Sequence, residues 1–332
     1  MKRFSIATLA ALALFTSLSL LSASHWFGAA QAQSDNSKDP REIIKHRGNP
    51  KGADNVTAGS TGSVTPPITY HGGALIQTPT AYVIWYGNWN QTNGTDNAAG
   101  QQIVRDFLTN LGGSNYFAIN KSYSTNGYNI TGGVNFVPGT YNGSTNPNGC
   151  EATDTGSQGT RLTDARVMTV VNSAITSGKL PYNPDGVYFV LTSSNVSESS
   201  GFCTYYCGWH TAATPSAGHV RYSFVGNAAR CLNACAAQSV SPNSNPGVDA
   251  MISVIAHELE EATTDPEPVS GWADSSNGEN GDKCAWTFGS HQTTLPNGSV
   301  YNVTLGTRNF LIQRNLNATD NKCYIDGVLG LQ

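Results

Sequence analysis

Gly247-Val-Asp-Ala-Met-Ile-Ser-Val-Ile-Ala-His-Glu-Leu-Glu-Glu-Ala-Thr-Thr-Asp-Pro266 reads as one long helix. Ile252, Ile255, Leu259 and Ala262 recur at helical spacing and make a single apolar stripe. Asp249 is the expected N-cap. The Asp265-Pro266 step should stop the helix, because a residue before proline is pushed out of the α region. The expected helix therefore spans 248–265. His257 and Glu261 are four apart, so both project from one face, roughly opposite the stripe, with Glu258 beside them. An imidazole and a carboxylate on adjacent turns, flanked by a second carboxylate, is a layout by which a helix holds zinc and a general base. The spelling is His-Glu-x-x-Glu, whereas the usual zinc helix ends in a second histidine.

The segment downstream is acidic, running from Trp272-Ala-Asp274 to Glu279-Asn-Gly-Asp282-Lys-Cys284. It offers the only sequence-local third ligand. The roles that follow are His257 and Glu261 as metal ligands, Glu279 or Asp282 as the third, and Glu258 as general base toward a water at the metal. Zinc is the expected ion, with calcium or manganese as alternatives for a carboxylate-rich set. Each added anionic ligand weakens the metal as a Lewis acid, so such a centre could be less active. The competing reading makes His257, Glu258, Glu260 and Glu261 the solvated face of an ordinary amphipathic helix.

Upstream, His219 to Val225 alternates like a strand, and Gly186-Val-Tyr-Phe-Val-Leu-Thr192 is an unbroken apolar run of the kind found in a sheet centre. Ala81 to Tyr86 is a second buried strand closed by Gly87. Asp96 to Gly112 and Thr163 to Ser177 have helical periodicity. Val134 to Val137, Ser299 to Leu305 and Phe310 to Gln313 are short strand candidates. Strands alternating with helices predict an α/β (or α+β) fold: a single domain with a mixed central sheet flanked by helices and with disulfide-stapled loops. The aromatic set Tyr205, Tyr206 and Trp209 could stack on sugar rings or pack over the disulfides. His71 and His210 read more readily as structural than as ligands, and His219 and His291 as spare candidates.

The N-terminus indicates the compartment. Lys2 and Arg3 precede an apolar run to about Leu21, and Ala30-Gln31-Ala32 is a small-x-small cleavage site, so residues 1–32 read as a secretory signal peptide. Residues 33–67, polar and without period, read as a disordered leader or linker, and 68–332 as the folded domain. No second apolar stretch is long enough for a membrane span. Of 18 Lys+Arg, Lys2 and Arg3 leave with the leader; the remaining 16 against 22 Asp+Glu give a formal charge of −6, which with no basic tract argues against nucleic-acid binding. Secretion, with the cell wall or periplasm as destinations, implies an oxidising environment. The 7 cysteines are then expected mostly as disulfides, with one left over. Cys203-x3-Cys207 and Cys231-x3-Cys235 could also form a thiolate zinc site. Spacing does not give their connectivity.

Several motifs together resemble one family. They are Tyr70-His71-Gly72-Gly73, Val83-Ile84-Trp85-Tyr86-Gly87, Gly201-Phe202-Cys203, Cys207-Gly208-Trp209-His210, Phe224-Val225-Gly226-Asn227-Ala228 with Cys231-x3-Cys235, and Gly247-Val248-Asp249 followed by Met251-Ile252. In order from about 69 to 266, they are similar to the EXORDIUM, or phosphate-induced protein 1, family. The resemblance implies a secreted protein of the cell wall or apoplast with no established reaction. The His257–Glu261 spelling separately resembles the active-site helix of thermolysin-like (gluzincin) metallopeptidases, with Glu261 in place of the second histidine. That likeness implies a zinc-dependent peptidase or hydrolase; the family likeness alone implies a non-catalytic extracellular protein. A peptide or a cell-wall polymer is the expected partner.

Overall fold

Six strands make the central sheet: β1 Glu42–Lys45, β2 Thr80–Tyr86, β3 Glu151–Asp154, β4 Gly186–Thr192, β5 Tyr206–Ala213 and β6 Val220–Gly226. Their order is β1-β5-β6-β4-β2-β3. Strands β3, β2, β4 and β6 run parallel, while β5 pairs antiparallel with both β6 and β1. The sheet is therefore mixed, as expected. The computed structural model describes residues 42–45 and 56–332 apart from Asn126. The expected signal peptide, residues 1–32, lies outside the described residues. No helix among them is long and apolar enough to cross a membrane.

Three helices cover the sheet: α1 Ala98–Leu111, α2 Asp164–Thr176 and α3 Pro246–Thr264. Register assigns the faces. Val83, Phe189, Ser223 and His210 are aligned across four strands, as are Ile84, Val190, Phe224 and Trp209 on the other face. Ile84 and Ala152 line a groove with Val170 and Ala174 of α2. Arg105 of α1 reaches Glu151, and Glu258 of α3 reaches His210. So α2 lies on one face, and α1 and α3 on the other. Covered on both sides, β2 and β4 read as near-continuous apolar runs rather than alternating ones.

The expected helix 248–265 is α3, beginning two residues earlier. Its N-cap is Asn245, whose side chain accepts from the Val248 N–H, with Pro246 at the first position; Asp249, the expected cap, lies buried in the first turn. Asp265 ends the helix, as the proline step required. The solvated face is the larger correction. From Met251 to Thr264 every residue of α3 is buried: His257 is 1% exposed and Glu258 and Glu261 are 0%.

The other helices and central strands hold with small shifts at their ends, but Val134 to Val137 is not a strand and makes only one bridge, from Asn135 to Thr80. Of the central sheet, β3 and β5 were missed, β5 because its cysteine and aromatic residues resemble a stapled loop. The stretch read as a disordered leader, 33–67, contributes β1 to the sheet edge, and from Val56 it packs against the body. Val64 N–H, for example, bonds Asn321 O, and the neighbouring Ile68 N–H bonds Asn321 Oδ1. Its scarcity of apolar residues hid an order held by backbone hydrogen bonds. Phe310 to Gln313 is not a strand; Val303–Leu305 instead pairs with Arg308–Phe310. Three disulfides, Cys203–Cys231, Cys207–Cys235 and Cys284–Cys323, leave Cys150 free and buried. The four paired cysteines around β5 are thus not a thiolate zinc site.

Candidate metal centre

The centre forms where α3 crosses β5 and the acidic segment folds over the helix. Gly208 and His210 alternate onto the α3 side of β5. A methyl group on Gly208 would meet Val254 Cγ1 at 2.5 Å and Glu258 Oε1 at 3.1 Å, so its missing side chain lets the helix approach. From above, residues 279–282 arrive close to the ligands: a methyl group on Gly281 would lie 2.8 Å from both Glu261 Oε1 and His257 Nδ1. The Cys284–Cys323 disulfide anchors the end of this segment.

Glu261 is central. Its Oε1 accepts from the Asp282 N–H at 3.0 Å and lies 2.8 Å from His257 Nε2. Its Oε2 lies 3.5 Å from His210 Nδ1 and has no hydrogen-bond partner. Despite the short approach, neither ring nitrogen of His257 is aligned for a hydrogen bond. Asp282 Oδ1 is 3.8 Å from His257 Nε2, and Glu279 Oε2 is 3.6 Å from His210 Nε2. Glu258 Oε2 is 3.4 Å from His210 Nδ1, while Glu258 Oε1 has no hydrogen-bond partner.

The structure thus brings together all five residues expected from the sequence: His257, Glu258, Glu261, Glu279 and Asp282. It also adds His210, which the sequence suggested was structural. The other histidines lie elsewhere: His71 is beside Ala273 O, His219 pairs with Glu267, and His291 is exposed. The available signal for His210 was its place two residues after Gly208 on an alternating strand. That signal becomes legible only once 206–213 is read as a strand.

Two sets of ligand atoms meet the spacing of a metal site, each within 4.8 Å: His257, Glu261 and Asp282; and His210, Glu261 and Glu279. The second has an orienting contact typical of ligating histidines. His210 Nε2 is 3.2 Å from Asp265 O, and since a carbonyl only accepts, Nε2 donates there and Nδ1 is the ring atom that faces the Glu258 and Glu261 carboxylates. The Asp265 carboxylate accepts from the N–H groups of Val269, Ser270 and Gly271, which fixes the carbonyl.

The electrostatics favour positive charge. Burial opposes a charged imidazole, yet the Glu258 and Glu261 carboxylates push His210 up to about 10, and chiefly Glu261 pushes His257 up to about 9. Burial raises Glu258 to about 7. Glu261 is held low, to about 2, because the two imidazoles outweigh its desolvation. Glu260 belongs to neither set of ligand atoms, and burial drives its carboxyl well above the usual range. One imidazole with two carboxylates suits zinc or manganese; the donor set fits a divalent cation.

Residues 68–325 match the family model described as the phosphate-induced protein 1 conserved region. The chain is 31% identical over 287 residues to Protein EXORDIUM-like 3 of Arabidopsis thaliana, covering 74% of this chain and 79% of that one. It is 28% identical over 256 residues to Protein EXORDIUM-like 5 of the same plant, covering 67% and 65%. No solved structure matches it. Neither relative's name specifies a reaction.

Proposed function

This chain belongs to the phosphate-induced protein 1 family, and we propose that it is an exported protein that holds a divalent cation, zinc before manganese or calcium, at a buried centre on α3. One observation carries the reading: the Glu261 carboxylate sits between two imidazoles, with its Oε2 and both His257 ring nitrogens buried and without hydrogen-bond partners. Buried polar atoms in that condition are costly unless something binds them. Export is supported by the three disulfides, by the extracellular expectation the family carries and by the leader-like N-terminus.

A second reading, a zinc-dependent hydrolase of the gluzincin kind, is favoured by Glu258. Its carboxylate lies among the proposed ligands with Oε1 unpartnered. When bound, the cation would polarise a carbonyl or activate water. Of the chain's own groups, Glu258 would take the proton, because it stands beside the ligands with one carboxylate oxygen left without a hydrogen bond. Asp282, with 19% of its side chain exposed, is the most open of the group, so access would come from that edge. A peptide or a cell-wall polymer is the proposed partner.

Metal content of the purified protein, wild type against His257→Ala, tests the first reading: bound zinc in the wild type should fall sharply in the variant, and negligible metal in both would exclude the centre. The second reading requires peptide hydrolysis that Glu258→Gln abolishes while zinc is retained. Hydrolysis that survives this change would remove Glu258 as the base.

A further inference from the structure

We propose that the centre holds two divalent cations bridged by Glu261, an inference that rests on the metal reading above and specifies its stoichiometry. The ligand atoms fall into two trios that share Glu261 alone, His257–Glu261–Asp282 and His210–Glu261–Glu279. Glu261 presents a different oxygen to each side: Oε1 lies 2.8 Å from His257 Nε2, and Oε2 lies 3.5 Å from His210 Nδ1. Two atoms bound to one zinc lie no more than about 4.4 Å apart, given metal–ligand distances of about 2.0–2.2 Å. Each trio is close to that limit. A bridging carboxylate with one terminal imidazole and one terminal carboxylate on either side is a typical two-metal arrangement, with ions about 3.5–4 Å apart.

Formal charge points the same way. Glu258, Glu261, Glu279 and Asp282 together carry four negative charges when ionised, and two dications with neutral imidazoles balance them. A single dication leaves two negative charges in a setting where Glu258 and Glu261 are fully buried. Both histidines are placed to serve as neutral ligands. His210 donates its Nε2–H to Asp265 O, which leaves Nδ1 as the atom that faces Glu261, and His257 has both ring nitrogens without hydrogen bonds. Glu258, beside His210 and in neither trio, is left to act on whatever the pair of ions binds.

The full-length exported chain, stripped with a chelator and reloaded with Zn2+, should bind two equivalents by elemental analysis after desalting. Asp282→Asn and Glu279→Gln should each reduce this to one, with circular dichroism checking that the fold persists. Loading with Mn2+ gives a readout free of substitutions: two bridged ions produce an exchange-coupled spin spectrum. One zinc per wild-type chain together with an isolated six-line Mn2+ spectrum would overturn the pair while leaving a single site standing. No zinc in the wild type would overturn the metal reading and this inference together.

Discussion

Gly281→Ala is the sharpest single test of how the acidic segment and α3 fit together. The added methyl would stand 2.8 Å from Glu261 Oε1, 2.8 Å from His257 Nδ1 and 2.9 Å from His257 Cε1. Backbone strain is not the issue, because φ at Gly281 is −65°; the cost is space. The crowded atoms are side-chain ends, but they have little room to retreat. Both residues are fully buried, and Glu261 Oε1 is held by the Asp282 N–H. Overpacking of this kind costs about 1–3 kcal/mol. The metal-free variant should therefore unfold in urea with its stability reduced by about that amount. A larger loss should appear in the metal response. At a zinc concentration about a thousandfold above Kd the wild type should gain about 4 kcal/mol from binding, and the variant should lose most of that gain because His257 and Glu261 can no longer converge. Gly143→Ala is the control, since a methyl there meets only Tyr141 Oη at 3.4 Å. If Gly281→Ala shows wild-type stability and a wild-type zinc response, the packing of this segment on the ligands is wrong.

Two further outcomes test the scaffold. Glu151, buried beneath α1, accepts both Nε and Nη2 of Arg105 at 2.8 and 2.7 Å, Trp85 Nε1 at 2.7 Å and the Gly139 N–H at 2.7 Å. Arg105→Met should cost about 3–5 kcal/mol by chemical denaturation, because it strands a buried carboxylate. Burial alone would raise the Glu151 pKa, but these donors lower it below its ordinary value. Its stabilising contribution is therefore complete above the unfolded value of about 4.3 and is lost as pH falls through the folded one. Glu151→Gln should remove that part of the acid-unfolding limb, and an unchanged limb would refute the assignment. Replacing Cys207 and Cys235 by serine leaves Cys203–Cys231 to close an overlapping loop, so only the short segments between the two disulfides are freed and the cost should be about 2–3 kcal/mol, seen as a lower urea midpoint.

The parts of the fold that were legible in the sequence have a local cause. β2 and β4 are apolar runs because they are covered on both faces, α1 and α2 carry an apolar stripe with Asn97 and Thr163 as caps, and Asp265-Pro266 ends α3. β5 escaped notice because Cys207, Gly208 and His210 serve long-range partners: a disulfide, a close helix and the candidate centre. None of these contributes to strand propensity. Residues 56–67 escaped for a related reason, since their order depends on distant carbonyl and amide groups such as those of Asn321. The site was legible to the same degree. Four ligand candidates lie on a helix and a loop close in sequence, whereas His210 lies 47 residues before His257 and is brought in by strand pairing alone.

The burial of α3 is the strongest argument that its charges have a purpose. Polar periodicity on a helix ordinarily predicts a face in water, and by that rule His257, Glu258 and Glu261 belong outside. Instead β5 covers one flank, and the segment through Gly281 and Asp282 covers the other. If the role of this face were only packing, leucine or methionine would serve it without the desolvation cost, since apolar replacement of buried ionic groups is often neutral or stabilising. The ring nitrogens of His257 make no hydrogen bonds, so polar satisfaction does not account for them either. What remains is a set of lone pairs directed at one another across 2.8 to 3.8 Å, an arrangement that is repulsive until a proton or a cation enters it. Protons would satisfy a pair at a time; the gathering of five side chains around the one shared carboxylate of Glu261 is better matched by metal.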